Sequence, residues 1–85
     1  MESILATAIL EMGRMSGGKS FCPSDVVKWI FPVDWKYFIA DVEEAMMQLY
    51  REGRISVRQG DLEIPKDRMP TGPVRITLHT QTKSF

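Results

Sequence analysis

The hydrophobic period changes once along the chain, after Gly53, and this change limits the folds that the chain can adopt. Before Gly53, apolar residues recur every three or four positions, which is typical of amphipathic helices. Residues 54–59 and 74–79 instead alternate between apolar and polar, which is typical of strands with one buried face. A chain of 85 residues is long enough for one domain. We therefore predict an α+β fold in which helices precede strands.

Three helices are predicted from their start and stop signals. Pro23 lacks a backbone N–H and suits the first position of a helix, which makes Cys22 the N-cap of the second helix. Asp34 is a good N-cap for the third helix, and Gly53 suits the position just after its end. We expect the helices at about residues 3–14, 23–31 and 35–51.

The two predicted strands, 54–59 and 74–79, are expected to pair as an antiparallel hairpin. Their connection, 60–73, contains three prolines and two glycines and is too long for a tight two-residue turn. Phe21, between the first two helices, is a candidate for a short third strand. We place Trp35 and Val42 in the core that the helices and strands share.

Three helices followed by a two-stranded antiparallel wing is the order of a small winged helix-turn-helix. In this interpretation the link 32–34 is the turn and 54–79 is the wing. Residues 1–80 form a single winged-helix domain, and the polar tail 81–85 is expected to fray.

Four short motifs accompany this order: CPSDV at 22–26, DW at 34–35, GRISVRQG at 53–60 and GPVRI at 72–76. With these motifs at these spacings, the chain resembles a small bacterial family of winged-helix proteins catalogued as domain of unknown function 3253. The resemblance covers about residues 4–78 and implies a winged-helix fold and a bacterial origin. It implies no established activity, so it assigns a function to no residue.

Charge is balanced over the whole chain but unevenly placed along it. The net charge is zero, yet residues 1–50 carry four basic and seven acidic side chains, and residues 51–75 carry six basic and four acidic ones. The outer face of the third helix, with two basic and three acidic side chains, has a net charge of −1. Its acidic residues, Asp41, Glu43 and Glu44, depart from the more basic helix of the family. Such a face is poorly suited to the phosphates beside a DNA groove.

The wing and the start of the third helix supply candidate nucleic-acid contacts. Basic wing side chains can lie along phosphates, and the first turns of the third helix can contact base edges. The simpler alternative is a solvated polar face, with Arg75 paired to a helix carboxylate. Our first hypothesis is an uncharacterised winged-helix module that binds DNA weakly through Lys36, Tyr37, Arg58, Lys66, Arg68 and Arg75.

The alternative hypothesis is a protein-interaction or dimerisation module. The acidic face of the third helix, together with Tyr37 and Met47, would then contact a protein partner or a second copy of the chain. The partners under consideration are thus nucleic acid, another protein or a homodimer, and no cofactor is expected.

Cys22 is the residue that raises the question of catalysis. A thiol at a helix N-terminus is a candidate nucleophile or redox sensor, yet the sequence offers no evident base near it and no second cysteine. We interpret Cys22 as a structural cap. We interpret His79, the single histidine, as an exposed strand residue, with a pH-sensitive contact as the alternative.

The same residue types argue against enzymes and metal proteins. One cysteine and one histidine do not make a zinc site, and the sequence shows no pair of nucleophile and base, so we do not expect an enzyme. The apolar N-terminal stretch is too short to cross a membrane and lacks the basic start of a signal peptide. We expect a soluble, cytoplasmic protein without membrane contact.

Overall fold

The computed structural model describes residues 3–79 and contains three α-helices followed by three β-strands. This α+β order is winged-helix-like, as the sequence predicts. The expected frayed tail, 81–85, lies outside the described residues. The elements are α1 (Ile4–Met15), α2 (Pro23–Ile30), α3 (Ile39–Arg51), β1 (Ile55–Gln59), β2 (Leu62–Glu63) and β3 (Arg75–Leu78).

The first two helices begin where their caps predict. Ser3 caps α1, because its Oγ accepts a hydrogen bond from the Ala6 N–H at 3.1 Å. Cys22 is the N-cap of α2, and Pro23 is the first helical residue. The Asp25 carboxylate accepts from the Cys22 N–H at 3.1 Å, and its charge also lies at the positive end of the helix dipole. Local sequence signals are therefore sufficient to start both helices.

The predicted third helix is divided in two, which corrects the expectation of one helix over 35–51. A 3-10 helix covers Trp35–Phe38, and the α-helix begins only at Ile39. Within the described chain the Asp34 side chain makes no capping bond. Its carbonyl instead accepts from the Tyr37 N–H at 2.9 Å, the short-range bond of a tighter turn. The chain therefore enters α3 through a tight turn.

The 3-10 turn before α3 changes which residues are buried in the core. Trp35, predicted as a core residue, is only half-buried and packs at the margin of the core. Phe38 stacks on Phe31, with ring centroids 4.1 Å apart and ring planes at 16°. Val42, also predicted inside, is completely buried. Phe31 and Phe38 therefore pack at the edge of the core, where we predicted Trp35.

The wing is a three-stranded antiparallel sheet in the order β2-β1-β3, where the sequence predicted two strands. β1 and β3 pair as expected, with Val57 opposite Ile76. The additional strand, β2, follows β1 after only two residues, Gly60 and Asp61. Gly60 has φ +66°, and glycine at the first central position is typical of a II′ hairpin turn. A tight hairpin therefore lies within the segment that we had interpreted as one irregular connection.

Phe21 forms the predicted extra bridge to the sheet. Its N–H and carbonyl exchange hydrogen bonds with Ile76 at 3.0 and 2.7 Å, which fixes the link between α1 and α2 to β3. The core lies between the helices and one face of the sheet. Its most deeply buried side chains are Ile9, Val26, Val27, Val42, Met46, Met47, Leu49, Ile55, Val57 and Ile76.

Candidate functional site

Basic and aromatic side chains gather where α2 turns toward α3. The Lys28 ammonium lies 4.5 Å and the Lys36 ammonium 5.8 Å from the centroid of the Trp35 ring, a cation–π arrangement. Tyr37 follows on the surface and is 82% exposed. We call these four residues the basic-aromatic corner. The sequence indicated Lys36 and Tyr37, but not Lys28, because its place beside Trp35 depends on how α2 packs.

Two basic residues also meet at the C-terminal end of α3. The Arg51 Nε donates to the Lys66 carbonyl at 2.9 Å and so ties the loop after β2 to the helix. The Lys66 ammonium lies 5.0 Å from the centroid of the Tyr50 ring. Arg51 and Lys66 are both exposed, and we call them the C-terminal pair. Of the two, Lys66 belongs to the set predicted from the sequence and Arg51 does not.

Tyr50 fixes the same end of α3 to the wing. It is buried, and its hydroxyl donates to the Ile64 carbonyl at 2.5 Å. Burial raises the pKa of the Tyr50 phenol above its ordinary value, the Glu63 carboxylate raises it further, and Arg58 acts in the opposite direction. The fold therefore favours the neutral phenol.

The polar face of the sheet brings three charged residues together. Arg58, on the central strand, lies opposite Arg75 on one side and Glu63 on the other. All three are exposed, and Arg58 Nη1 donates to the Asp61 carbonyl at 3.4 Å. Because a carboxylate lies beside the arginines, this face is of mixed charge rather than uniformly positive.

Arg75 has internal partners. Its guanidinium donates to the Ser20 Oγ at 3.1 Å, to the Ser20 carbonyl at 2.9 Å and to the Cys22 Sγ at 3.1 Å. These groups take the place of the helix carboxylate that we had considered as its partner. Three of its five N–H donors are thus engaged in holding β3 against the start of α2. Its contact with phosphate stays a prediction.

Arg68 lies in the loop between β2 and β3, beside an acidic neighbour. Its Nε is 3.7 Å from a carboxylate oxygen of Asp67, and the two side chains are 73% and 78% exposed. An ion pair this open to water contributes little to stability. Arg68 is therefore free to exchange Asp67 for an external anion.

The outer face of α3 differs from the prediction at Met47. We expected Met47 to face outward, but it is 1% exposed, because α2 and the sheet both pack against α3 and widen its buried stripe. Asp41 and Glu44 are exposed, and Glu43 is half-buried. The N-terminal half of α3 is therefore negative, while the basic-aromatic corner lies just before the helix and the C-terminal pair lies at its end.

A groove of 710 Å³ runs beside this acidic stretch, between the first turn of α1 and α3. Ile4 and the stacked pair Phe31 and Phe38 form much of its apolar lining. Asp41 and Glu44 line it from α3. We call it the α1–α3 groove. No sequence pattern indicated it, because its apolar residues come from separate segments of the chain.

A serine and a histidine that we had not paired lie together beside the sheet. Ser56 Oγ and His79 Nε2 are 2.7 Å apart, and His79 Nδ1 is 3.0 Å from the Gly53 carbonyl. Because a carbonyl only accepts, Nδ1 carries the proton, and Nε2 of the neutral ring accepts from the Ser56 hydroxyl. The prediction that no nucleophile lies beside a base is therefore wrong, because the Ser56 hydroxyl lies within hydrogen-bond distance of the His79 ring. Ser56 is only 7% exposed, and the pair joins β1 to the residue after β3.

Cys22 is half-buried at the start of α2 and lines a cleft of 140 Å³.

Over residues 3–79, no three His, Cys, Asp or Glu side chains cluster so as to hold a metal ion. None of the helices in that part of the chain combines the length and apolar character needed to cross a membrane.

Comparison with known proteins agrees with the resemblance seen in the motifs. No curated protein matches the chain. The model of a family described as "Protein of unknown function (DUF3253)" matches residues 2–79. Because this match spans nearly the whole chain, the chain belongs to that family.

Proposed function

We propose that this protein binds double-stranded DNA weakly, through phosphate contacts at both ends of its third helix. The observation that supports this most directly is the distribution of basic side chains. The basic-aromatic corner precedes α3, and the C-terminal pair lies at its end. In a winged-helix arrangement the helix between these two groups is the one expected in the major groove.

The dimensions of α3 suit this role. With 13 residues it is about 20 Å long, at 1.5 Å rise per residue. The major groove of DNA is about 12 Å wide, so the two ends of such a helix reach its two phosphate walls. Lys28 and Lys36 would meet one wall, and Arg51 and Lys66 the other. Tyr37, exposed at the start of the helix, would contact a base edge or a sugar.

The acidic N-terminal half of α3 opposes strong binding. Asp41, Glu43 and Glu44 lie between the two positive groups and face phosphates that repel them. Four phosphate contacts correspond to a slope of about −3 to −4 in a plot of log affinity against log salt. We therefore expect weak binding that is measurable at low salt and lost at high salt.

The remaining wing residues have a secondary part in this proposal. Arg58 and Arg68 are exposed, so they can touch phosphates when the wing lies along the DNA backbone. Arg75 keeps only two N–H donors outside its bonds to Ser20 and Cys22, so the proposal does not depend on it.

Fluorescence anisotropy with a short random-sequence duplex at low salt tests this proposal. The double variant Lys28→Gln/Lys36→Gln should bind at least about tenfold more weakly, and its salt slope should be smaller by about 2. The matched control Arg14→Gln/Lys19→Gln removes the same charge from exposed positions outside the basic-aromatic corner and the C-terminal pair and should stay within about twofold of the parent. An equal loss in both variants, or no binding by the parent, would contradict the proposal.

We infer that the chain is not an enzyme and that Ser56 and His79 form a structural contact. Ser56 is nearly inaccessible, and both ring nitrogens of His79 are engaged within the fold. A fluorophosphonate probe, which reacts with activated serine hydroxyls, should leave Ser56 unmodified in the folded chain. Rapid labelling at Ser56 that Ser56→Ala abolishes would contradict this inference.

Protein docking on the acidic side of α3 is a second candidate function. The α1–α3 groove favours it, because exposed apolar side chains there lie next to exposed carboxylates. Met47 takes no part, because it is buried.

A further inference from the structure

We propose that the α1–α3 groove binds a cationic amphipathic helix of a partner protein. The groove has a volume of 710 Å³ and combines apolar side chains from α1 and the 3-10 helix with carboxylates from α3. The proposal deepens the second candidate function, protein docking on the acidic side of α3, and rests on it. The groove lies outside the basic-aromatic corner and includes Arg51 of the C-terminal pair.

The fold leaves the apolar part of the groove open. Phe31 and Phe38 are stacked but only half-buried, and Ile4 beside them is 70% exposed. Ile4 also lines a second depression, of 310 Å³, together with Trp29, which is 45% exposed. The apolar surface therefore continues from α3 across the first turn of α1 to α2. An apolar surface bordered by carboxylates suits the apolar face of an amphipathic partner.

The negative charge of the groove favours a partner with positive charge. Asp41 and Glu44 line it, and neither forms an ion pair with another residue of 3–79. Arg51, at the far end, donates its Nε to the Lys66 carbonyl. Lysine or arginine side chains of a ligand would complement the two carboxylates, whereas an acidic ligand would be repelled.

The walls of the groove favour a helix over an extended peptide. Two of the walls are the helices α1 and α3, and helices present no strand edge along their sides with which an extended chain could pair. The sheet, whose strand edges could pair with an extended chain, contributes no residue to the groove. A bound strand would therefore lose backbone hydrogen bonds to water without replacement, whereas a helix brings its own.

A second copy of this chain does not offer such a helix within its described residues. Glu11 and Arg14 give α1 a net charge of zero, and Asp25 and Lys28 do the same for α2. α3 has a net charge of −2, from three acidic residues and Arg51. We therefore assign the cationic helix to a different protein.

Synthetic peptides provide the test. The probe is a peptide with leucines at helical spacing and lysines on the flanks, titrated into the intact chain and followed by anisotropy and circular dichroism. One comparison peptide replaces every lysine by glutamate, and another keeps the composition but moves the leucines out of register. We expect the lysine probe to bind at least about tenfold more tightly than either comparison peptide and to gain helix on binding.

Matched variants locate the binding site. Asp41→Asn/Glu44→Gln should weaken the lysine probe at least about fivefold, and Asp61→Asn/Asp67→Asn, which removes two exposed wing carboxylates, should change it less than about twofold. Ile4→Ser should weaken it similarly, whereas Val33→Ser should not, although Val33 is 87% exposed. All four are surface changes, so each variant is expected to fold.

Three results would overturn the proposal. The first is equal binding of the lysine and glutamate peptides, and the second is an equal loss in the groove and control variants. The third is a bound probe that gains no helix. The DNA titration is judged separately, on Lys28 and Lys36, which do not line the groove.

Discussion

Three side chains carry much of the connection between the wing and the helices. The Tyr50 hydroxyl donates to the Ile64 carbonyl, the Arg75 guanidinium donates to residues at the start of α2, and the His79 ring donates to the Gly53 carbonyl just after α3. Each polar side chain reaches across elements that are far apart in sequence. Their partners are therefore a consequence of the fold, and the residue types alone did not identify them.

Removing the Tyr50 hydroxyl tests how much one of these contacts contributes to stability. Tyr50→Phe leaves the Ile64 carbonyl without its donor in a buried place, which should cost about 1–3 kcal/mol of unfolding free energy. Tyr37→Phe removes a hydroxyl from a side chain that is 82% exposed and should stay within about 0.5 kcal/mol of the parent. Urea unfolding at neutral pH measures both. Equal stability of parent and Tyr50→Phe would show that this hydrogen bond contributes nothing.

The same residue gives a pH dependence with a definite sign. The folded chain holds the pKa of Tyr50 above the ordinary tyrosine value of about 10, so the unfolded chain loses this proton first. Its contribution to stability is complete below that pH and is lost as the pH rises through the folded pKa. The stability gap between parent and Tyr50→Phe should therefore narrow above about pH 10. A gap that stays constant to higher pH would contradict the shift.

At the scale of elements, the closest approach is between α1 and β3. A Cβ added at Gly13 would lie 2.8 Å from the Leu78 Cβ, which is closer than two carbon atoms can approach. Glycine in the last turn of α1 is therefore a packing requirement, because it lets the helix lie directly on the strand.

Gly13→Ala makes this contact measurable. Alanine gains about 1 kcal/mol in helix propensity over glycine, but overpacking typically costs about 1–3 kcal/mol. We expect net destabilisation and a lower melting temperature. Thr7→Ala, at an exposed position of the same helix, should be neutral or slightly stabilising. A Gly13→Ala chain more stable than the parent would rule out the close approach of α1 to β3.

The elements also show where sequence signals suffice and where they fail. The starts of α1 and α2 were predictable, because Ser3, Cys22 and Pro23 act on their own backbone neighbours. The 3-10 entry to α3 was not, because it goes with the stacking of Phe38 on Phe31, a contact between separate segments. β2 has two residues and is defined only by its pairing with β1, so its own sequence carried too short a pattern.

At the scale of the whole molecule, a chain of zero net charge separates its charges in space. Positive side chains lie at both ends of α3, and negative ones lie in its N-terminal half, where Asp41 and Glu44 line the α1–α3 groove. The composition shows only that the numbers of basic and acidic residues are equal. Lys36 and Tyr37 could be predicted from the start of the third helix and Lys66 from the wing, whereas Lys28 and Arg51 join the candidate site only through packing. The α1–α3 groove forms only where the start of α1, residues 31–38 and α3 come together, so no sequence pattern predicts it.

Amide chemical-shift mapping of the isotope-labelled chain, titrated with a random-sequence DNA duplex at low salt, tests the central claim most directly. We predict that the largest shifts fall at residue 28, at 35–37, and at 51 and 66, and that they fade together as salt is added. The first turn of α1, on the opposite wall of the α1–α3 groove, should shift little. Shifts confined to the groove or to the far end of α1, or no shifts at all with duplex in large excess, would contradict DNA binding through the ends of α3.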